Sequence, residues 1–330
     1  MDKVKAAVIG TGYLGRQHVR VLSQLADVEL VGVVDKNLET ARAVAAEFST
    51  RAYDSHRALS EKVSAVSLAT PTCEHASIGI DLLTRGVDVL VEKPIASSLA
   101  EADAMIEAAN RHRRILQVGH LERFNPAVVA ARKLLTTPLF FEVHRLGVFA
   151  ARSLDIDVVS DLMIHDLDLV LDFVGSPVER VSAVGLPILT DKVDIANARL
   201  EFANGCVANV TASRVSTEKV RKLRFFQKNQ YVSLDFSRQD VVVLSVENRP
   251  AGEPPLILPR RIETARMEPL KAELESFVES VRTGRPPAVS AESSREALAL
   301  AHRVTLEIQE HANRLSLSPR RPWSESSSES

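Results

Sequence analysis

The chain has 330 residues, of which 45% are hydrophobic, 25% charged and 5% aromatic. This length suggests two domains of roughly 100 to 200 residues each, and the apolar content excludes a wholly disordered chain. The formal net charge of −2 excludes the overall positive field of a nucleic-acid binder. The apolar runs are too short to cross a bilayer, so no membrane association is expected. Only two cysteines and the absence of a signal-peptide pattern favour a cytoplasmic protein.

The first 120 residues alternate between short apolar runs and amphipathic stretches. The apolar runs, read as buried strands, are residues 4–9, 28–34, 63–69, 87–91 and 115–118. The amphipathic stretches, read as helices, are residues 13–26, 38–48, 74–85 and 99–112. Strands buried on both faces and separated by helices are typical of a parallel sheet with right-handed crossovers. Residues 1–120 are therefore predicted to form an α/β domain.

After residue 120 most strand-like runs follow one another without intervening helices. The predicted helices cover residues 126–135, 159–174, 269–282 and 293–314. The predicted strands cover residues 139–149, 178–186, 194–202, 207–213, 220–226, 231–236 and 241–246. Residues 121–314 are predicted to form an α+β domain with a large, mostly antiparallel open sheet. The Ser-rich residues 315–330 are predicted to be a disordered tail.

A glycine-rich turn follows the first predicted strand and begins the first helix. Its sequence is Gly10, Thr11, Gly12, Tyr13, Leu14 and Gly15. The three glycines allow a tight turn, approach of the backbone to a pyrophosphate, and close packing of helix and strand. Amide N–H groups and the helix dipole attract phosphate at this point. The first domain is therefore predicted to be a Rossmann dinucleotide-binding domain.

An acidic residue, Asp35, ends the second strand 20 positions after Gly15. A carboxylate there can accept hydrogen bonds from the adenosine ribose and would repel a 2′-phosphate, which favours NAD. Lys36 could partly offset that repulsion, so NADP stays possible.

Two further motifs stand at the ends of predicted parallel strands, where open α/β sheets bind ligands. The first is Ala69, Thr70 and Pro71 with His75 after it, and the second is Glu92, Lys93 and Pro94. Lys93 can hydrogen-bond both a nicotinamide ribose and a substrate hydroxyl; alternatively, it is only a solvated charge at a strand end.

With these motifs and a later Asp161-x-x-x-His165, the sequence resembles the Gfo/Idh/MocA family of NAD(P)-dependent oxidoreductases. The resemblance covers the chain up to the Ser-rich tail, and it implies that Lys93, Asp161 and His165 are the catalytic set. It also implies that the turn and strand-end motifs bind the cofactor. One departure is that many members carry glycines before the aspartate, where this chain has Val158, Val159 and Ser160.

Two longer strings, residues 118–126 and 161–168, resemble the nucleotide-sugar branch of the family. This branch contains the UDP-N-acetylglucosamine 3-dehydrogenases, which oxidise the sugar 3-hydroxyl. The resemblance implies the same reaction here. The alternatives are oxidation of a free polyol or monosaccharide, and a non-catalytic NAD-bound sugar sensor. The family also commonly forms homodimers or homotetramers through its open sheet.

Helical spacing places Asp161 and His165 one turn apart, with Asp168 and Asp172 near the same face. The carboxylate of Asp161 can orient the imidazole of His165, and histidine can accept a proton at neutral pH. The alternatives are a surface histidine paired with carboxylates, and a metal site formed by Asp161, His165 and Asp168. Because hydride transfer needs only a positioned base, no metal is expected.

The segment that leaves the first domain holds Arg123, Phe124 and Asn125, which are candidates for substrate binding. Arginine suits a diphosphate or carboxylate, and asparagine can pair with hydroxyls. Packing in the interdomain linker, with Asn125 capping the next helix, is the alternative. Arg145 and Arg152 are further candidates for the anionic end of a substrate.

Overall fold

The computed structural model describes residues 3–59, 62–149, 156–247, 249–250 and 253–314. The chain divides into two compact units. The first comprises Met1–Pro126 and Arg266–Leu298, and the second comprises Ala127–Ala265 and Ala299–Ser330. Residues 266–298 thus belong to the first unit, whereas the sequence predicts them in the second domain. The predicted tail, residues 315–330, lies outside the described residues.

The first unit contains a sheet of six parallel strands in the order β3-β2-β1-β4-β5-β6. The strands are β1 Val4–Ile9, β2 Val28–Val34, β3 Ala52–Tyr53, β4 Ala65–Leu68, β5 Asp88–Glu92 and β6 Leu116–Gly119. Its helices are α1 Tyr13–Gln24, α2 Leu38–Glu47, α3 Thr72–Thr84, α4 Leu99–His112 and, later in the chain, α7 Pro269–Thr283. This strand order is that of the Rossmann fold.

Both faces of this sheet are covered, which explains its continuously apolar strands. On β1, Ala7 and Ile9 belong to one buried cluster, whereas Ala6 and Val8 belong to another. Successive side chains of a strand point to opposite faces, so both sets are removed from water. Helix α7 joins the second cluster because Leu274, Phe277 and Val278 lie on its buried face.

The second unit contains an eight-stranded sheet in the order β14-β13-β12-β11-β7-β10-β9-β8. The strands are β7 Pro138–Leu146, β8 Val178–Leu186, β9 Ile195–Phe202, β10 Val207–Ser213, β11 Val220–Gln227, β12 Gln230–Asp235, β13 Asp240–Glu247 and β14 Leu256–Ile262. All neighbouring strands are antiparallel except β7 and β10.

Three helices complete the described part of the chain: α5 Pro126–Arg132, α6 Ile164–Val174 and α8 Ala291–Arg314. Helix α6 packs on one face of the second sheet, where the ring of Phe173 lies 6.3 Å from Phe141 and 6.2 Å from Phe225. The predicted α/β architecture with a second, mostly antiparallel sheet is confirmed. No described helix is long and apolar enough to span a membrane.

Three local features differ from the sequence-based expectation. The turn before α6, Val159–Met163, is π-helical rather than α-helical. Strand β3 has only two residues, too few to leave a periodic pattern. Strand β14 lies at the sheet edge, is largely exposed and contains Pro259, all of which weaken a strand signal.

Candidate active site

The glycine-rich turn connects β1 to α1 with very little space around two of its glycines. Gly10 has φ +89°, and a Cβ atom there would lie 2.5 Å from the carbonyl oxygen of Ala69. A Cβ on Gly15 would lie 1.7 Å from the oxygen of Gly10. A Cβ on Gly12, by contrast, would meet no atom within 4 Å. The turn therefore has no room for a side chain at Gly10 or Gly15, whereas space remains beside Gly12.

Asp35, at the end of β2, is held against this turn. Its Oδ2 accepts hydrogen bonds from Thr11 N at 2.8 Å and Thr11 Oγ1 at 2.9 Å, and Oδ1 accepts one from Asn37 N at 2.9 Å. Partial burial favours the neutral acid, but these hydrogen bonds and the charge of Lys36 outweigh it and lower the pKa of Asp35. Asp35 is therefore an oriented, ionised acceptor at neutral pH.

A cavity of about 630 Å³ lies beside the turn, within the range of small-molecule sites. Its lining includes most of the residues predicted to bind the cofactor: Gly10, Gly12, Tyr13, Leu14, Asp35, Lys36, Ala69, Thr70 and Pro71. Helices α1 and α3 begin here, and neither has a side-chain cap on its first amides. Uncapped helix N-termini attract anions, so the cavity fits the diphosphate of a dinucleotide.

Sequence reasoning missed a group of residues in this lining that follows β3. They are Asp54, Ser55 and His56. Because ligands bind at the carboxyl ends of parallel strands, identification of β3 would have drawn attention to them.

His75 contacts both strand-end motifs and does not itself line the cavity. The side chain is buried; Nε2 is 3.0 Å from the Thr70 carbonyl oxygen and Nδ1 is 3.0 Å from that of Pro94. Burial lowers the pKa of His75, despite these carbonyl contacts, and so favours the uncharged ring. The geometry gives His75 a supporting position behind the loops, outside the cavity lining.

Lys93 follows β5 and is joined to Pro94 by a cis peptide bond. Its neighbour Glu92 lies beside a buried histidine: His18 Nε2 is 3.0 Å from Glu92 Oε1, and His18 Nδ1 is 2.7 Å from Ser67 Oγ. Burial opposes ionisation of Glu92, but the hydrogen bond and charge of His18, with the charge of Lys93, hold its pKa below the ordinary value. Glu92, the chain neighbour of Lys93, is therefore ionised at neutral pH.

A second acid, Glu273 on α7, lies near this group and is fully buried. Burial, and then the negative charge of Glu92, raise the pKa of Glu273 well above its ordinary value. The two carboxyl groups thus have opposite preferences, ionised for Glu92 and neutral for Glu273. Nothing in the sequence indicated this pair, which is separated by 181 positions.

In the second unit, Asp161 lies in the π-helical turn and His165 in the first turn of α6. Asp157 holds this turn together: its side chain accepts from Ser160 N at 2.8 Å, and its carbonyl accepts from Asp161 N at 3.0 Å. The turn therefore forms with Val158, Val159 and Ser160, and no glycine, directly before Asp161. Both Asp161 and His165 are half-buried.

The predicted row of acids along α6 separates into different environments. Asp168 is buried, whereas Asp172 pairs with Arg132. Asp166, which the pattern did not select, is fully buried and pairs with Arg145. Among the described residues no three His, Cys, Asp or Glu side chains are grouped closely enough to hold a metal ion.

Three of the remaining substrate-binding candidates lie in the segment after β6. Arg123 and Phe124 are half-buried in a 3₁₀ turn, Leu121–Phe124. Asn125 is buried, and its Nδ2 donates to Glu122 Oε2 at 3.2 Å. Arg152 lies outside the described residues.

Two family models match the chain. "Oxidoreductase family, NAD-binding Rossmann fold" matches residues 4–120, and "GFO/IDH/MocA C-terminal domain" matches residues 144–230. A UDP-N-acetylglucosamine 3-dehydrogenase from Acidithiobacillus ferrooxidans is 39% identical over 313 residues, which is 94% of this chain and 98% of that enzyme. The chain belongs to the Gfo/Idh/MocA family of oxidoreductases.

Other members of the Gfo/Idh/MocA family support the fold assignment. A solved structure of the A. ferrooxidans enzyme has a TM-score of 0.89 with 38% identity and covers 94% of this chain and 99% of that one. Myo-inositol 2-dehydrogenase from Thermotoga maritima is 27% identical and covers 93% of this chain and 97% of its own. The predicted family, enzyme class and NAD cofactor are confirmed.

Proposed function

We propose that this oxidoreductase uses NAD to oxidise the 3-hydroxyl of a UDP-N-acetylglucosamine-type nucleotide sugar. The observation that carries the proposal is the 39% identity to the A. ferrooxidans enzyme over nearly the whole of both chains. The myo-inositol 2-dehydrogenase matches a similar length at 27%, so the free-polyol alternative has weaker support.

The cofactor would be held by the first unit. Gly10, Gly12 and Gly15 would allow the diphosphate to approach the start of α1, and the Asp35 carboxylate would accept hydrogen bonds from the adenosine ribose. NAD supplies, when bound, the nicotinamide that takes up the hydride. The fixed, ionised state of Asp35 supports NAD rather than NADP, because a 2′-phosphate would meet like charge.

Three side chains would act on the substrate hydroxyl. His165 would accept its proton, and Asp161 would orient the His165 ring. Lys93 would donate a hydrogen bond to the same oxygen and stabilise its developing negative charge. Glu92 precedes Lys93 in the chain, and the charge of Lys93 helps to lower the pKa of Glu92.

A turnover assay with NADH fluorescence tests the reaction and the substrate class together. We expect activity with UDP-N-acetylglucosamine and little with myo-inositol or glucose. Lys93→Ala and His165→Ala should each lower kcat by about 10²- to 10⁴-fold while NAD binding is kept. Lys133→Ala and His112→Ala, at exposed positions, are the matched controls.

Three results would separate the alternatives. Preferred turnover of myo-inositol would favour the polyol dehydrogenase. NAD and sugar binding without any turnover would favour a sensor. Near-normal kcat in both the Lys93→Ala and His165→Ala proteins would contradict the assigned catalytic roles.

We also propose self-association into a homodimer or homotetramer through the face of the second sheet opposite the one that α6 covers. On that face Phe140 and Phe226 stand opposite each other with ring centroids 5.7 Å apart, and Tyr231 lies 5.0 Å from Phe226. Because Phe226 is exposed, this aromatic cluster supports burial against another copy. Light scattering should give a multiple of the 36.2 kDa chain mass, and a smaller mass for Phe226→Asp. A monomeric unaltered protein would contradict the proposal.

A further inference from the structure

A second cleft, entirely within the second unit, has a lining rich in positive charge. Its volume is about 220 Å³, and it is lined by Arg145, Arg214, Lys219 and Arg221 together with Asp161. Cavities that enclose a drug-sized molecule measure roughly 300 to 1,000 Å³. This cleft is smaller, so it suits one charged part of a larger ligand.

Strand topology brings the four cationic side chains to the same end of three neighbouring strands, β11, β7 and β10. Arg145 lies near the end of β7, and Arg214 directly follows β10, which runs parallel to β7. Lys219 directly precedes β11 and Arg221 is its second residue, and β11 is antiparallel to β7. The C-terminal end of β7 and the N-terminal end of β11 therefore lie side by side.

Arg145 and Arg221 stand directly opposite each other on β7 and β11. They lie on the same face as the buried pair Val143 and Leu223, because successive residues of a strand alternate between faces. The two guanidinium groups therefore lie on the same face of the sheet, where a bound anion would be close to both.

Two of the four cations are fixed in place by buried carboxylates. Arg145 donates from Nε and Nη2 to the two oxygens of Asp166, each at 2.8 Å. Arg214 lies 3.7 Å from Asp194 and donates to the Ile156 carbonyl. Asp194 also accepts from three backbone amides, those of Ile188, Leu189 and Thr190.

Positive side chains dominate the described lining of the cleft, where Arg145, Arg214, Lys219 and Arg221 accompany Asp161. Arg221 is half-buried and Lys219 is exposed, so both can reach a ligand entering from solvent. Arginine binds phosphate oxygens through two N–H groups, and lysine does so as a point charge.

We propose that this cleft binds the diphosphate of the nucleotide-sugar substrate, with Arg221 and Lys219 as its phosphate ligands. Arg145 and Arg214, each held by a buried aspartate, line the same cleft. This inference rests on the proposed function, and it gives a physical reason for preferring a nucleotide sugar to an uncharged polyol. The cleft also includes Asp161, so the phosphate-binding residues share a lining with the residue assigned to orient His165.

Calorimetric titration of the whole protein with UDP, UMP, uridine and inorganic pyrophosphate tests the proposal. Arg221→Met and Lys219→Met should each weaken UDP binding by about tenfold, which corresponds to the loss of one hydrogen bond to a charged group. Binding of NAD should stay unchanged. The control is Lys222→Met, because Lys222 is on the same strand but points to the opposite face.

The possible results distinguish this inference from the proposed function. Turnover of UDP-N-acetylglucosamine with an unchanged KM in the Arg221→Met and Lys219→Met proteins would overturn the cleft assignment alone. Pyrophosphate binding that these substitutions weaken would support the anion site even if the enzyme oxidised only polyols. Uridine binding as tight as UDP binding, or no binding of UDP and pyrophosphate, would overturn it.

Discussion

The buried ion pair of Arg145 and Asp166 predicts a large stability effect in the second unit. Asp166 is fully buried and Arg145 is 4% exposed, and two hydrogen bonds of 2.8 Å join them. Asp166→Asn keeps the side-chain shape but removes the negative charge. Removal of one partner of a buried pair costs about 3 to 5 kcal/mol. Because the amide oxygen can still accept one N–H, we expect a loss near the lower limit, about 3 kcal/mol.

Hydrogen exchange followed by mass spectrometry measures this loss in each unit separately. The opening free energy of amides in β7 and α6 should fall by about 3 kcal/mol, whereas amides in β1 and α1 should keep their protection. Glu201→Gln is the control in the same sheet, since Arg180 and Glu201 are 3.6 Å apart and 73% and 38% exposed. An exposed pair of this kind contributes no more than about 1 kcal/mol.

Two results would refute the reasoning. The first is an Asp166→Asn protein that loses no more stability than Glu201→Gln. The second concerns the double variant Arg145→Met/Asp166→Leu, which replaces the pair with apolar side chains and should recover much of the loss. A double variant less stable than Asp166→Asn would show that the unpaired charge is not the cause.

Three further predictions concern the first unit. Gly15→Ala should abolish NAD binding in a fluorescence titration, because its Cβ would lie 1.7 Å from the Gly10 oxygen; near-normal affinity would contradict the tight packing of the turn. Asp35→Asn should shift the ratio of kcat/KM for NAD over NADP toward NADP by about tenfold or more, since the repulsion removed is of the order of 1 to 4 kcal/mol; an unchanged ratio would refute the assigned role. The Glu273→Gln protein should gain stability relative to the unaltered protein as pH rises from 5 to 8. The difference between their Tm values measures this gain. Because the pKa of Glu273 is raised in the folded protein, its contribution to the free energy of unfolding is complete below the unfolded pKa of about 4.3. That contribution is lost as pH rises toward the folded pKa. A Tm difference independent of pH would contradict this.

The glycine-rich turn shows where sequence reasoning works well. Gly10, Gly12, Gly15 and Asp35 are separated by short, regular intervals along a strand, a turn, a helix and a second strand. Local hydrophobic periodicity predicts those elements, and parallel-sheet geometry then brings the acidic residue back to the turn. The structure adds the hydrogen bonds from Thr11 that orient the carboxylate.

The surroundings of His75 and of two acids depend on contacts that the local sequence does not reveal. The position of His75 after a strand-end motif predicts contact with the cofactor, and the structure adds that its ring nitrogens lie 3.0 Å from the carbonyl oxygens of Thr70 and Pro94. The sequence places Glu92 in a predicted cofactor motif and does not single out Glu273, because nothing in a local window reveals which carboxyl groups come close together. Their opposite pKa shifts depend on a helix that joins the first sheet from the far end of the chain.

The sequence by itself determined the alternation of strands and helices, the cofactor motifs and the residues available for chemistry. These features depend on residues close together in the chain, where periodicity and spacing are informative. The tertiary structure alone decided which charges face one another: Arg145 with Asp166, Arg145 opposite Arg221, and His18 beside Glu92. Burial and strand register set those pairings, and both depend on contacts between distant segments.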